Sequence, residues 1–274
     1  VAGRGRAIDG SCTPEEVIVE QFDDSDIVDG TVAGGANTSH TIALKHLSSL
    51  LAAVSPTANR EAYQEAAIEQ NILGRSTFEG RRRTFRYLRE LYLLQPERIL
   101  FRALRDLWDE DPEARPQLAG LAALARDSVF RATSHGLLKL PPGALVTSAL
   151  LTEFMSEGFP HTYNAATAAK IGRNTASSWT QTGHLQGRTS KSRAAVEARP
   201  ITIAYALLLG SLQGQRGQAL YDSLWTRFLD ATPRMAEMVA ERASQRGYLE
   251  LRSAGGVVEI GFRHLLRPLK ETKS

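Results

Sequence analysis

The chain has a single cysteine, Cys12, among 274 residues, so it can build neither an internal disulfide framework nor a thiolate zinc site. Its six histidines (His40, His46, His135, His161, His184 and His264) are scattered, and none takes the HExxH spacing that sets two imidazoles on one helix face. There is no GxxxxGK[ST] phosphate loop and no GxSxG nucleophile elbow. Gly3-Arg4-Gly5 lacks the preceding strand that a dinucleotide site requires. Asp106, Asp109, Glu110 and Asp111 are the acids a metal-dependent nuclease would use, but acids clustered at the end of a helix read as a solvated surface. Long apolar runs are also missing. The most apolar stretch, residues 201–209, is about half of the roughly 20 residues a spanning helix needs, and it reads as a buried core helix. No apolar stretch near residue 1 resembles a secretion signal. These absences lead us to expect a non-enzymatic cytoplasmic protein with no catalytic residues, no cofactor, no metal and no membrane partner.

What is present is ordinary for a globular protein: 42% hydrophobic and 23% charged residues. The length suffices for one large domain or for two or three small ones. The net charge of +3 hides an asymmetry, because residues 1–35 hold two arginines and eight acids, a net of −6, which leaves +9 for residues 36–274. A basic body of this kind suits a polyanionic partner. Residues 1–36 read as a flexible acidic leader, punctuated by glycine. Its aspartates lack the glycine and distal glutamate of a calcium loop. Residues 37–158 read as a helical domain, and residues 159–274 as a winged-helix-like domain closed by a hairpin. The expected fold class is mainly α, a multi-helix bundle with helix-turn-helix or winged-helix-like units and a C-terminal β-hairpin.

Two stretches carry the functional signal. The first, residues 162–199, reads as a helix-turn-helix followed by a basic hairpin or loop. Thr162 or Asn164 caps its first helix, Gly172 supplies the turn, and Asn174 caps a second helix that Gly183 ends. Ala176, Trp179 and Leu185 form the small core, while Thr175, Ser177, Ser178 and Gln181 face outward toward a groove. Lys170, Arg173, Arg188, Lys191 and Arg193 surround them, where they can meet phosphates.

The second stretch surrounds residues 75–89, which hold six arginines and one acid, Glu79. Asn59 caps a helix to about residue 71, and Ser76 or Thr77 starts the next. There Phe78, Phe85 and Leu88 form the apolar stripe, and Arg82, Arg86 and Arg89 share a face. Arg75, Ser76, Thr77, Arg81, Arg82, Arg83 and Arg86 are the candidate nucleic-acid contacts. The alternative is that arginine stems cover apolar surface and pair with acids elsewhere. Further along, residues 132–135 read as a turn. Met235 and Met238 point inward from a later helix, and residues 248–262 form a hairpin around Gly255-Gly256.

Three stretches, AAIEQNILGRSTFEGRRRTFRYLRELYLL, AAKIGRNTASSWTQTGHLQGR and ASQRGYLELRSAGGVVEIGF, resemble segments of the BrxA family found with BREX bacteriophage-exclusion systems. The resemblance covers less than a third of the chain and includes no catalytic signature. It implies a small helical DNA-binding protein that works beside larger defence proteins. Carried over by position, it implies DNA contact by Arg75, Arg81, Arg82, Arg83 and Arg86, and by Lys170, Arg173, Asn174, Thr175, Ser178 and Gln181. Duplex DNA is therefore the expected partner. A transcriptional regulator, a helical protein-binding adaptor and an RNA-binding protein remain open as alternatives. Neither oligomeric state nor sequence preference follows from the residues.

Overall fold

The computed structural model describes residues 25–267. The chain is mainly α-helical, with two small antiparallel sheets. The helices run α1 Leu44–Ala53, α2 Arg60–Ile68, α3 Phe78–Tyr92, α4 Ile99–Trp108, α5 Arg115–Arg126 and α6 Ser128–Leu137. Strand β1 Leu145–Val146 precedes α7 Ser148–Gly158 and α8 Ala165–Gln181, which lead into β2 Leu185–Gln186 and β3 Lys191–Arg193. Then come α9 Pro200–Leu212, α10 Leu224–Phe228, α11 Pro233–Gln245 and the terminal hairpin β4 Glu250–Ala254 with β5 Val257–Gly261.

Several helix starts follow from side-chain capping. Asn59, Thr77 and Asn164 accept the backbone N–H of Ala62, Gly80 and Thr167, satisfying amides left unpaired in the first turn. α9 is buried from Ile201 to Gly210, as an apolar run without a polar face requires. Helices α4, α5, α10 and α11 pack around it. One apolar cluster extends from Ala36 to Leu265. The boundary expected near residue 158 lies in the connection between α7 and α8, which pack against each other, and β1 pairs with β3 across it.

Residues 25–36, expected to belong to a flexible leader, are instead packed onto the bundle; residues 1–24, with the rest of that leader and Cys12, lie outside the described residues. Asp26 Oδ1 accepts Leu100 N at 2.9 Å, Val28 N donates to Ala125 O at 3.0 Å, and Val129 N donates to Gly34 O at 3.2 Å. Gly35, at φ 113°, lies so close to α6 that a Cβ there would stand 2.3 Å from Asp127 Cγ. At Gly35 the missing side chain serves close approach as well as the positive φ. Asp127 is fully buried and caps α6 by accepting Phe130 N, while its other oxygen accepts Asn37 N and Nδ2 at 2.7 and 2.9 Å. Burial pushes its carboxyl above the usual carboxylate range.

Two other expectations are corrected. Residues 132–135 lie inside α6, because Thr133 and Ser134 return their hydroxyl protons to the carbonyls of Phe130 and Arg131 and so fit a helix interior. Met235 and Met238 are exposed, since Ala236, Val239, Ala240 and Ala243 form the inward face of α11.

His184 is buried behind Trp179 and Phe228. Its Nε2 lies 2.6 Å from Phe228 O, an atom that only accepts, so the proton resides there; Nδ1 faces the Thr182 hydroxyl at 2.8 Å. Burial pushes its pKa down to about 4. The folded state therefore stays neutral where the unfolded chain takes up a proton. Stability is fully present above about pH 6.5 and is lost as pH falls toward 4, by about 3 kcal/mol at the acid end. Urea midpoints at pH 7.5 and pH 4.5 measure this loss, and His184→Gln is expected to shrink the difference.

Candidate nucleic-acid interface

The expected break at Gly172 is absent: α8 continues unbroken for 17 residues. Gly172 is a contact point. A Cβ there would stand 2.2 Å from Thr152 Oγ1 and 2.3 Å from the Ser148 carbonyl oxygen of α7. Asn174 is consequently no cap. The turn of this helix pair lies upstream, at residues 159–164, between α7 and α8.

This shift re-aims the polar residues. Thr175 and Ser178 are buried rather than outward-facing. Thr175 Oγ1 donates to Ile171 O at 2.9 Å, and Ser178 Oγ donates to Asn37 Oδ1 at 2.6 Å while accepting Ile42 N at 3.1 Å. Asn174 Nδ2 donates to Asn37 O at 3.0 Å, and Gln181 Oε1 accepts Leu44 N at 2.9 Å. The C-terminal half of α8 thus holds the segment 37–44 in place and is not open to a groove. Ser177 is half-buried, and its Oγ accepts Gln181 Nε2 at 3.4 Å. What α8 leaves exposed is its N-terminal half, with Ala166, Ala169, Lys170 and Arg173.

In the β2–β3 hairpin, Arg188 is exposed at the tip, residues 187–190. Lys191 Nζ donates to Thr180 Oγ1 at 2.9 Å. Arg193 was expected to meet phosphate, but it is 2% exposed and ion-paired with Asp230, whose other oxygen accepts Val196 N. Truncating one member of a buried pair strands the other charge, so Arg193→Ala is expected to cost about 3 kcal/mol. Chemical denaturation checks that loss, and the salt slope of any nucleic-acid binding should be unaltered.

The other arginine-rich stretch divides in the same way. Arg81 Nη1 donates to Ile68 O at 3.1 Å, closing the turn between α2 and α3. Arg86 is half-buried, with its guanidinium carbon 5.3 Å from the centre of the Tyr87 ring. Arg82 and Arg83 are exposed, as are Ser76 and Thr77, although Thr77 Oγ1 is occupied as the α3 cap. Phe78, expected in the apolar stripe, is 53% exposed instead. Phe85, Leu88, Leu91 and Tyr92 already fill the inner face, and Phe78 stands one turn from Arg82 on the outer one.

Ion pairing separates structural arginines from available ones. Arg98, Arg105, Arg115, Arg193, Arg199, Arg252 and Arg267 each meet an acid. Among the described residues, Arg75, Arg82, Arg83, Lys170, Arg173 and Arg188 have no carboxylate within 4.0 Å. The acids considered for a nuclease are largely taken up by those pairs: Asp106 by Arg267, Asp109 by Arg105 and Arg115, and Asp111 by Arg199.

The two stretches, far apart in sequence, meet in space. A cleft of about 540 Å³ opens between the start of α3 and the outer face of α8. Arg75, Ser76, Thr77 and Arg83 line one side and Lys170 the other, with His40 between. Burial holds His40 below the usual imidazole range, and the Arg75 and Arg83 charges add to that depression. The same positive field reaches His46, which burial and then Arg75 hold low. No family model matches the chain, and no curated protein matches it.

Proposed function

We propose that the chain is a non-enzymatic accessory protein that binds duplex DNA, and that it serves a BREX-like phage-defence system as its resemblance to the BrxA family implies. The observation that carries the DNA reading is the chain order α6–β1–α7–α8–β2–β3 with strands ordered β1-β3-β2. On our reading this order supports a winged helix-turn-helix unit, with α8 as the recognition helix and residues 187–190 as the wing. Recognition helices present their N-terminal residues to the major groove, and in α8 that half is the exposed one. Lys170, Arg173 and Arg188 then fall on the helix and wing that flank a duplex. Among the described residues the terminal hairpin β4–β5 pairs with no other strand and packs against α11 and the turn Gly217–Asp222, as scaffold does.

Arg82 and Arg83 extend this surface along α3. Five exposed cations without carboxylate partners among the described residues (Arg82, Arg83, Lys170, Arg173 and Arg188) support a salt slope, d log K/d log [salt], of about −4 to −5. Fluorescence anisotropy against labelled duplex DNA, single-stranded DNA and duplex RNA at several salt concentrations tests the reading. Tight binding to duplex DNA with that slope is the expected result. Preference for single strands would favour a second reading, in which exposed Phe78 stacks on bases beside Arg82. Binding to none of them near physiological salt would overturn both and leave a protein-binding adaptor.

A further inference from the structure

The cleft between α3 and α8 has features that a general basic surface does not require. Its cations come from three separate places: Arg75 from the turn before α3, Arg83 from within α3, and Lys170 from α8. None of its lining residues is acidic. The neighbouring hollow beside α5 sets Arg86 and Arg126 against Asp29 and Glu90, so its charges offset each other. Among the described residues lining the cleft no acid offsets them, and a concave site lined by one sign of charge concentrates its field on a counter-ion.

Arg75 is also held in place. Its backbone N–H donates to Asn71 Oδ1 at 2.9 Å, and its Nε donates to Thr84 Oγ1 at 3.0 Å. Thr84 is fixed in turn by donating to Gly80 O at 2.8 Å. Among the described residues, the two terminal nitrogens of Arg75 donate to no protein group. A guanidinium anchored through Nε and open at both Nη atoms matches two oxygens of a tetrahedral anion.

We propose that this cleft is a phosphate site, in which Arg75, Arg83 and Lys170 together hold one phosphoryl group. Under the DNA reading above, on which its physiological ligand rests, the group is a backbone phosphate that sets the register of α3 and α8 along one strand. The same chemistry also fits the phosphate of a free nucleotide.

The test titrates inorganic phosphate into the full chain against chloride of equal ionic strength, following the His40 ring by NMR. A bound anion favours the charged imidazole, so a saturable shift and a raised His40 pKa are expected with phosphate and not with chloride. Arg83→Ala with Lys170→Ala is expected to weaken phosphate binding by about tenfold or more, whereas Arg252→Ala on the terminal hairpin leaves it unchanged. Equal response to chloride, or unchanged phosphate affinity in the double variant, overturns the site. In a second arm, phosphate competes with labelled duplex DNA. Competition beyond the ionic-strength effect identifies the ligand as a backbone phosphate. Phosphate binding in a protein that does not bind DNA keeps the site, assigns it to a free phosphate and removes the DNA reading. Normal DNA binding with no phosphate-specific His40 shift removes the site and keeps the DNA reading.

Discussion

Reversing two charges, Arg83→Glu together with Lys170→Glu, is expected to lower duplex-DNA affinity by about two to three orders of magnitude near 0.1 M salt. Each substitution removes a cation and adds an anion beside the same strand, so about two phosphate contacts are lost and repulsion from two new anions is added. Affinity varies with salt to roughly the power −0.9 per phosphate, so the slope should flatten as affinity drops. Both side chains are exposed and have no carboxylate partner among the described residues, so stability should change by no more than about 0.5 kcal/mol. Arg252→Glu on the terminal hairpin is the matched control. It alters charge equally per site but removes only an exposed pair with Glu259, and should leave affinity within about twofold. Anisotropy across a salt series measures both variants. Unchanged affinity in the double variant, with DNA binding intact, would take the cleft out of the interface.

The second large effect is on stability, and its sign decides between two accounts of one glycine. By helix propensity alone, Gly172→Ala in the middle of α8 should stabilise the chain by about 1 kcal/mol. The packing argues the opposite. The added methyl would meet Thr152 Oγ1 and the Ser148 carbonyl, and Thr152 Oγ1 is already bonded to that carbonyl at 2.9 Å. A backbone atom yields only if the two helices separate, so a loss of about 3 kcal/mol is expected. Urea denaturation gives the sign directly. If α8 is pushed off α7, Lys170 also moves relative to Arg83, and DNA affinity should fall in the folded protein even though no charge has changed.

Helix content, the cap at Asn59, the core helix after Pro200 and the terminal hairpin were legible in the chain, and the caps Thr77 and Asn164 were each one of two residues it offered. Each rests on a local rule: a side-chain oxygen next to an amide, an apolar run without a polar face, or a glycine pair between alternating residues. Composition also exposed the two arginine-rich stretches, because charge density survives any folding of the backbone.

Partnership between distant residues was not legible. A glycine that permits a turn and a glycine that permits helix contact are written with the same letter, and only the nearness of Ser148 and Thr152 assigns Gly172 to the second use. Thr175, Ser178 and Gln181 look like a polar face until Asn37, Ile42 and Leu44 are found against α8. Similarly, Arg193 and Arg83 are equal as sequence, but Asp230 neutralises one and no described acid meets the other. The sequence by itself determined how many cations the chain carries and where helices begin. Only the tertiary structure decided which cations stay unpaired and that Arg75, Arg83 and Lys170 share a cleft, because ion pairing and burial depend on distances that chain order does not encode.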